Sequence, residues 1–156
     1  MGISFYKDDV PSVEVTRLDK NANLPWRYSG TAGFDLYALE DVFLKLGETT
    51  VVETGISFNI PSGFFGKIEN VNRLATLGII VGSGIIDPEY PGETKVALYN
   101  FSNTCASTYK GRGYMVKKGE KIAQLVVQPL VFVRLIQSEK LETTERGENG
   151  FGSSGR

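Results

Sequence analysis

The stretch Ile-Ser-Phe-Asn-Ile-Pro-Ser-Gly-Phe-Phe-Gly-Lys-Ile, residues 56–68, settles the class of fold. Ile56, Phe58 and Ile60 alternate with polar residues, the two-residue period of a half-buried strand. Pro61-Ser62-Gly63 supplies turn chemistry, and Phe64 to Ile68 reads as the returning strand of a hairpin. Outward from this stretch the same signature recurs. Short apolar runs lie at Val42 to Leu46 and Thr49 to Val52, around a Gly47-Glu48 turn, and Val13 and Val15 keep strand spacing. Thr94 to Asn100 and Tyr114 to Val116 follow. Ile122 to Val133 is almost continuously apolar, which predicts a strand buried on both faces. Only Arg73 to Leu77 has the look of a helical turn, stopped at Gly78.

Glycine is in excess, 18 of 156 residues, and it punctuates the apolar runs about every ten residues rather than forming one tract. Many short strands separated by turn signals predict an all-β sandwich or barrel, not βαβ units, so Rossmann and P-loop nucleotide sites are excluded on fold grounds. The length is that of one domain, and no internal repeat is visible.

Composition removes most chemistries. Lys and Arg number 17 against 18 Asp and Glu, a net charge of −1, so there is no basic footprint for nucleic acid. Histidine is absent, which excludes Ser-His-Asp and Cys-His catalysis and His-based zinc or iron sites. The single Cys105 excludes internal disulfides and cysteine-clustered metals. Carboxylates, hydroxyls, amides, Lys, Arg and backbone remain, with an oxygen-loving metal ion as the natural assistant. No run is long enough for a membrane span, and the first ten residues lack a secretory apolar core. Lys7 and Asp8 argue against myristoylation of Gly2. The expectation is an intracellular protein of cytoplasm or nucleus, without membrane or nucleic-acid partners.

Four stretches can carry chemistry. In Gly82 to Gly92, two apolar residues deliver Asp87 to a turn stiffened by Pro88 and Pro91, which suits either a turn-forming aspartate or a general base on a rigid hairpin. Tyr90 can pack on a sugar or cover the turn. In Ala32 to Ala38, Asp35 lies between Phe34 and Leu36 and points away from both; a solvent-facing strand aspartate is the simpler explanation. Gln124 sits inside an apolar strand after the Lys117 to Gly119 turn, where an unpaired amide would cost about 1–3 kcal/mol. Finally, residues 146–156 combine Arg146, glycines, serines and Phe151: anion-binding backbone, a guanidinium fork and a flat face for a base, or else a disordered tail.

The ordered series Ala-Gly-Phe-Asp-Leu-Tyr-Ala (32–38), Gly-Ile-Ile-Asp-Pro-Glu-Tyr-Pro-Gly (84–92), Gly-Glu-Lys-Ile-Ala-Gln-Leu (119–125) and Arg-Gly-Glu-Asn-Gly-Phe-Gly-Ser-Ser-Gly (146–155) closely resembles four of the five motifs of the homotrimeric deoxyuridine triphosphatases, the dUTPases. The resemblance runs from the Leu18…Ala22…Pro25 lead-in almost to the C-terminus. It implies a distorted β jelly-roll of the β-clip kind, assembled as a homotrimer with three shared active sites. Residues 1–141 would form the β domain, and 142–156 a mobile arm closing over a neighbouring site.

The resemblance also implies Mg²⁺-assisted hydrolysis of dUTP to dUMP and pyrophosphate, which keeps uracil out of DNA and supplies dUMP. Asp87 matches the aspartate that activates the attacking water, and Asp35 the residue that orients water around the metal. Tyr90 matches the tyrosine on deoxyribose. Gly84, Ile85, Ile86 and Lys95 match the hairpin whose backbone reads uracil. Gln124 matches an amide that positions phosphate and water, and Arg146, Phe151, Gly152 and Ser153 match the closing arm. The second motif departs from the pattern. Val71 stands where a phosphate-binding arginine belongs, Asn72 replaces a serine and Leu77 a frequent lysine. Asn72 can still donate to a phosphate, and Arg73 is the nearby charge. A second departure is a longer segment around Ser102 to Gly113, carrying Cys105, Lys110 and Arg112, expected as a surface loop or a partner-binding element. Two rival readings stay open: a binding or regulatory protein of this fold with impaired catalysis, and a dCTP deaminase, for which the sequence reveals no glutamate base beside the pyrimidine amine.

Overall fold

The computed structural model describes residues 11–102, 106–108, 111–140, 142 and 147. In chain order the elements are β1 (Glu14–Arg17), β2 (Phe34–Tyr37), β3 (Val42–Lys45), β4 (Thr49–Val52), β5 (Ile56–Asn59), β6 (Phe64–Glu69), α1 (Asn72–Thr76), β7 (Ile79–Ser83), β8 (Ile85–Ile86), β9 (Val96–Asn100), β10 (Ala106–Thr108), β11 (Gly111–Val116) and β12 (Lys121–Pro129). They form four small antiparallel sheets, ordered β1-β5, β10-β11-β3, β2-β12-β6-β8 and β4-β9-β7. The all-β expectation holds.

Residues 56–68 do form two strands, but not a hairpin. β5 pairs with β1, whereas β6 pairs with β12 and β8. The Phe64 N–H closes a tight turn on the Pro61 carbonyl at 3.2 Å, with Gly63 at φ +87°. The carbonyl of Ile60, which a hairpin partner would have used, instead accepts the Glu89 N–H at 3.0 Å. The turn therefore carries the chain from one sheet onto the face of another. Gly66 shows why this works: a Cβ there would lie 2.7 Å from Ile60 Cδ1 and 2.8 Å from Leu125 Cδ1. Only a glycine lets the two layers approach so closely.

The layers share one core. Leu36, Leu44, Ile56, Leu74, Leu98 and Leu125 are each less than 2% exposed, and they come from β2, β3, β5, α1, β9 and β12. Each such side chain contributes about 1.5–3 kcal/mol through burial. Helix α1 lacks a side-chain cap and spans five residues, so it owes its existence to buried Leu74 rather than to propensity. Gly78, at φ +80°, ends it where expected, by donating to the Ala75 carbonyl at 3.0 Å.

Two expectations are corrected. The apolar run from Ile122 does not stay a strand to Val133: β12 stops at Pro129, and Val131, Phe132 and Val133 are 77, 74 and 77% exposed. Proline has no N–H for the ladder, and the next residue, Leu130, donates its N–H to the Gly63 carbonyl at 2.8 Å. The long segment after Asn100 is no simple loop, since β10 and β11 pair from Ala106↔Gly113 to Thr108↔Gly111 and extend the sheet of β3. Arg112 lies exposed on this hairpin, while Cys105 and Lys110 lie outside the described residues.

Candidate functional site

Strands β7 and β9 form a hairpin stem, Ile79↔Asn100 to Ser83↔Ala97, and residues 84–95 are its elaborated tip. The outgoing side does not return directly. Gly84 is held against β6, where Ile68 N–H donates to its carbonyl at 2.7 Å and a Cβ would sit 2.7 Å from the Ile68 carbonyl oxygen. β8 then pairs Ile85 with Lys67 and Ile86 with Gly66. Alternation buries Ile86 and leaves Ile85 exposed, so the next residue, Asp87, emerges at the exposed end of the strand.

Asp87, Pro88, Glu89 and Tyr90 make a turn closed by Tyr90 N–H on the Asp87 carbonyl at 3.4 Å. Pro88 at the second position and Glu89 at φ +59° in the third give it type II character. Glycine or asparagine is the usual occupant of that third position, and the Glu89–Ile60 backbone bond holds the glutamate there. Tyr90 packs its phenol directly over Gly92, where any Cβ would collide with the ring. Together Ile85, Ile86, Asp87, Tyr90, Glu93 and Lys95 line a cavity of about 360 Å³. Five of these six were expected together from the sequence.

Glu93 was not. Its Oε1 accepts the Gly55 N–H at 2.8 Å and the Thr54 N–H at 3.2 Å, and its Oε2 faces Lys95 Nζ at 3.3 Å. Lys95 also bonds Glu53 at 2.6 Å. Hydrogen bonds from its ammonium to Glu53 and then Glu93 hold Lys95 above its ordinary pKa. The signal available beforehand was the Glu93-Thr94-Lys95 alternation, which sends both charges to one side of an extended segment.

A second cluster lies on β2, β12 and β6. Gln124 pairs with Asp35 on one side and Glu69 on the other, so three polar side chains share one row and one face. Gln124 Nε2 donates to the Asn70 carbonyl at 3.0 Å, and Asn70 Oδ1 accepts the Val81 N–H at 2.7 Å. Asp35 is not the solvent-facing aspartate that seemed simplest. Its side chain is only 16% exposed and pairs with Lys121 Nζ at 3.1 Å. Among the described residues no group of three or more acidic, cysteine or histidine side chains could hold a metal unaided. Asp35 and Gln124 offer hard oxygens on one face, a donor set suited to a Mg²⁺ ion that brings most of its ligands as water and phosphate.

In the altered second motif, Val71 is buried, 6% exposed, and belongs to the core. Asn72 is exposed at the start of α1. Arg73 is engaged elsewhere: its guanidinium donates to Tyr114 Oη at 3.0 Å and pairs with Glu120. Arg146, Phe151, Gly152 and Ser153 lie outside the described residues.

Asp35, Gln124 and Glu69 are not among the residues that line the Asp87 cavity. Gln124 and Ile86 are separated by three rows along the sheet and two strands across it, roughly 14 Å at standard spacings.

Against known proteins, the dUTPase family model matches residues 20–155. The deoxyuridine 5'-triphosphate nucleotidohydrolase of Paramecium bursaria Chlorella virus 1 is 40% identical over 146 residues, covering 92% of this chain and 98% of the relative. That of Nautilia profundicola is 37% identical over 148 residues, with 92% and 99% coverage. Among solved structures, a G164S mutant of the Staphylococcus bacteriophage 80alpha dUTPase, with dUpNHpp, superposes with a TM-score of 0.82 at 30% identity, covering 94% of this chain and all of that one, 100%. With a family match over most of its length and relatives of equal extent, this chain belongs to the dUTPase family.

Proposed function

We propose that the protein hydrolyses dUTP to dUMP and pyrophosphate, with Asp87 as the base that takes a proton from the attacking water. The observation that carries this reading is the placement of the Asp87 carboxylate at the rim of the cavity lined by Ile85, Ile86 and Tyr90. A pyrimidine between the apolar strand and Tyr90 would set its sugar and phosphates beside Asp87, in reach of a water held by that carboxylate. Uracil would be read by backbone groups at Gly84, Ile85, Ile86 and Lys95, with a buried hydrogen-bonding group left unpaired by a wrong base. Tyr90, braced on Gly92, would cover the deoxyribose and exclude a 2′-hydroxyl.

Asp35, Gln124 and Asn72 would meet the phosphates of a nucleotide bound to a neighbouring protomer. Mg²⁺ bound there would offset phosphate charge and order the chain for in-line attack, with Asp35 reaching its water shell. A homotrimer with shared sites is the assembly that the resemblance to the dUTPases implies, and it would bring the Gln124 row of one protomer to the nucleotide of another. The exposed apolar run of Val131, Phe132, Val133, Leu135 and Ile136 supports an assembly, because a monomer would leave it in water. Arg146, Phe151, Gly152 and Ser153 would close over the base and phosphates. No helix among the described residues is long and apolar enough to cross a membrane, and the reaction belongs where deoxynucleotides are used, in cytoplasm or nucleus.

Pyrophosphate release from dUTP with Mg²⁺ is the test. Wild type is expected to turn over, and Asp87→Asn to lose at least about a hundredfold in kcat while keeping its fold. A well-folded wild type without turnover defeats the proposal. The non-catalytic reading draws only on the second motif, where Val71 serves the core and Asn72 and Leu77 replace a serine and a lysine, while Asp35, Asp87, Tyr90 and Gln124 are kept. For dCTP deamination, Glu93 would have to be the base, yet both its oxygens are already occupied by Gly55, Thr54 and Lys95.

A further inference from the structure

The cavity has two walls of unequal construction. The Ile85-Ile86 wall is a paired strand, fastened to β6 by ladder bonds and by Gly84. The Glu93 to Lys95 wall lies before β9 begins. Its backbone is held by an isolated bridge between Ser57 and Glu93, by the Thr94 N–H on the Ile56 carbonyl at 2.8 Å and by Thr54 Oγ1 on the Thr94 carbonyl at 2.6 Å. What completes its attachment is the Glu93 side chain, 18% exposed, which crosses to the β4–β5 connector and takes two backbone N–H groups there.

That connector is itself locked. Gly55 sits at φ +67°, and a Cβ on it would be 2.9 Å from Ala22 Cβ. Its carbonyl accepts Leu18 N–H at 2.8 Å and Asp19 N–H at 3.4 Å. Glu93 thus ties this wall to the connector, and its second oxygen, together with Glu53, holds the Lys95 ammonium.

We infer that Glu93 is a positioning residue for pyrimidine selection: its carboxylate fixes the Glu93–Lys95 wall against the Thr54-Gly55 connector and so sets the spacing across the base pocket. The inference rests on the dUTP reading of that pocket. Glu93 neither touches the reacting phosphorus nor serves as a base; it acts through the backbone it holds. A wall free to move outward accommodates a 5-methyl group, so weakened attachment shows as poorer binding and poorer discrimination rather than as slower chemistry.

The experiment measures kcat and KM on dUTP, kcat/KM on dTTP, ammonia release from dCTP, and calorimetric binding of dUMP, for full-length wild type, Glu93→Ala, Glu93→Gln and Glu93→Asp. Glu93→Ala is expected to raise KM and the dUMP Kd about tenfold, to change kcat less than about threefold, and to lower selectivity for dUTP over dTTP by about tenfold. Glu93→Gln keeps the length and one acceptor oxygen for Gly55 and Thr54, so it recovers most of the binding; Glu93→Asp is one methylene short and recovers less. If Glu93→Ala does not fold, the order of Gln above Asp decides alone, and the reverse order overturns the inference. Unchanged KM and selectivity in a folded Glu93→Ala, a fall in kcat alone, or ammonia from dCTP also overturns it. Absence of turnover in wild type would strike the hydrolysis reading instead, leaving dUMP binding to judge Glu93.

Discussion

A Cβ placed on Gly33 would lie 2.8 Å from Gln124 Oε1 and 3.0 Å from its Cβ, so the backbone of one strand segment is shaped around the amide of the next. Gln124 can then hold one orientation, with its Nε2 on the Asn70 carbonyl at 3.0 Å. Gly33→Ala is expected to swing that amide out of place. Turnover on dUTP should fall by about ten- to a hundredfold, as small displacements in positioning groups do. Overpacking should cost about 1–3 kcal/mol in urea unfolding. Activity at the wild-type level would mean the amide plays no part in the reaction.

Two neighbouring threonines should respond in opposite ways. Thr94 is 0% exposed, and its Oγ1 has no hydrogen-bond partner among the described residues. Thr54, 1% exposed, donates to the Thr94 carbonyl at 2.6 Å and accepts the Ile56 N–H at 3.2 Å. Thr94→Val removes an unpaired polar atom at nearly constant volume and should leave stability unchanged or raise it by about 1 kcal/mol. Thr54→Val leaves a buried N–H and carbonyl short of a partner and should cost about 1–3 kcal/mol. Chemical denaturation of the two variants side by side checks the pair.

Glu120 closes the β11–β12 turn with its N–H on the Lys117 carbonyl and pairs with Arg73 of α1. Burial pushes its pKa up, but the Lys117 N–H, Tyr114 hydroxyl and Arg73 together outweigh this and hold it below its ordinary 4.5. A depressed folded-state pKa stabilises the fold above pH 4.5, and that contribution fades as pH falls through the lowered value. Glu120→Gln should therefore be less stable than wild type at pH 7, and the difference should shrink progressively below about pH 4. Denaturation midpoints measured from pH 7 to pH 3 would show it; a gap that stays constant would refute the linkage.

Local signals carried far in this chain. The alternation at Ile56, Phe58 and Ile60, the glycine stop at Gly78 and the rigid turn after Asp87 are properties of neighbouring residues, and they appear in the structure where periodicity and turn chemistry put them. The grouping of Ile85, Ile86, Asp87, Tyr90 and Lys95 was legible for the same reason, since eleven residues around one turn cannot stray far apart. Pairing partners were not legible. Alternation tells which residues of β5 are buried but not which strand it pairs with: it took the wholly exposed β1, while Ile60's carbonyl met Glu89 rather than β6.

By itself, then, the order of residues determined an all-β class, a histidine-free chemistry and the identity of the carboxylate at the turn, because each follows from residue type and short spacing. Tertiary structure alone decided that Asp35 is held by Lys121, that Val71 serves the core, that Arg73 is spent on Glu120, and that Glu93 braces the pocket from 38 residues beyond Gly55. Those are contacts between distant segments, and their free energies depend on which surfaces the packed sheets bring within hydrogen-bond reach, a property no local window contains.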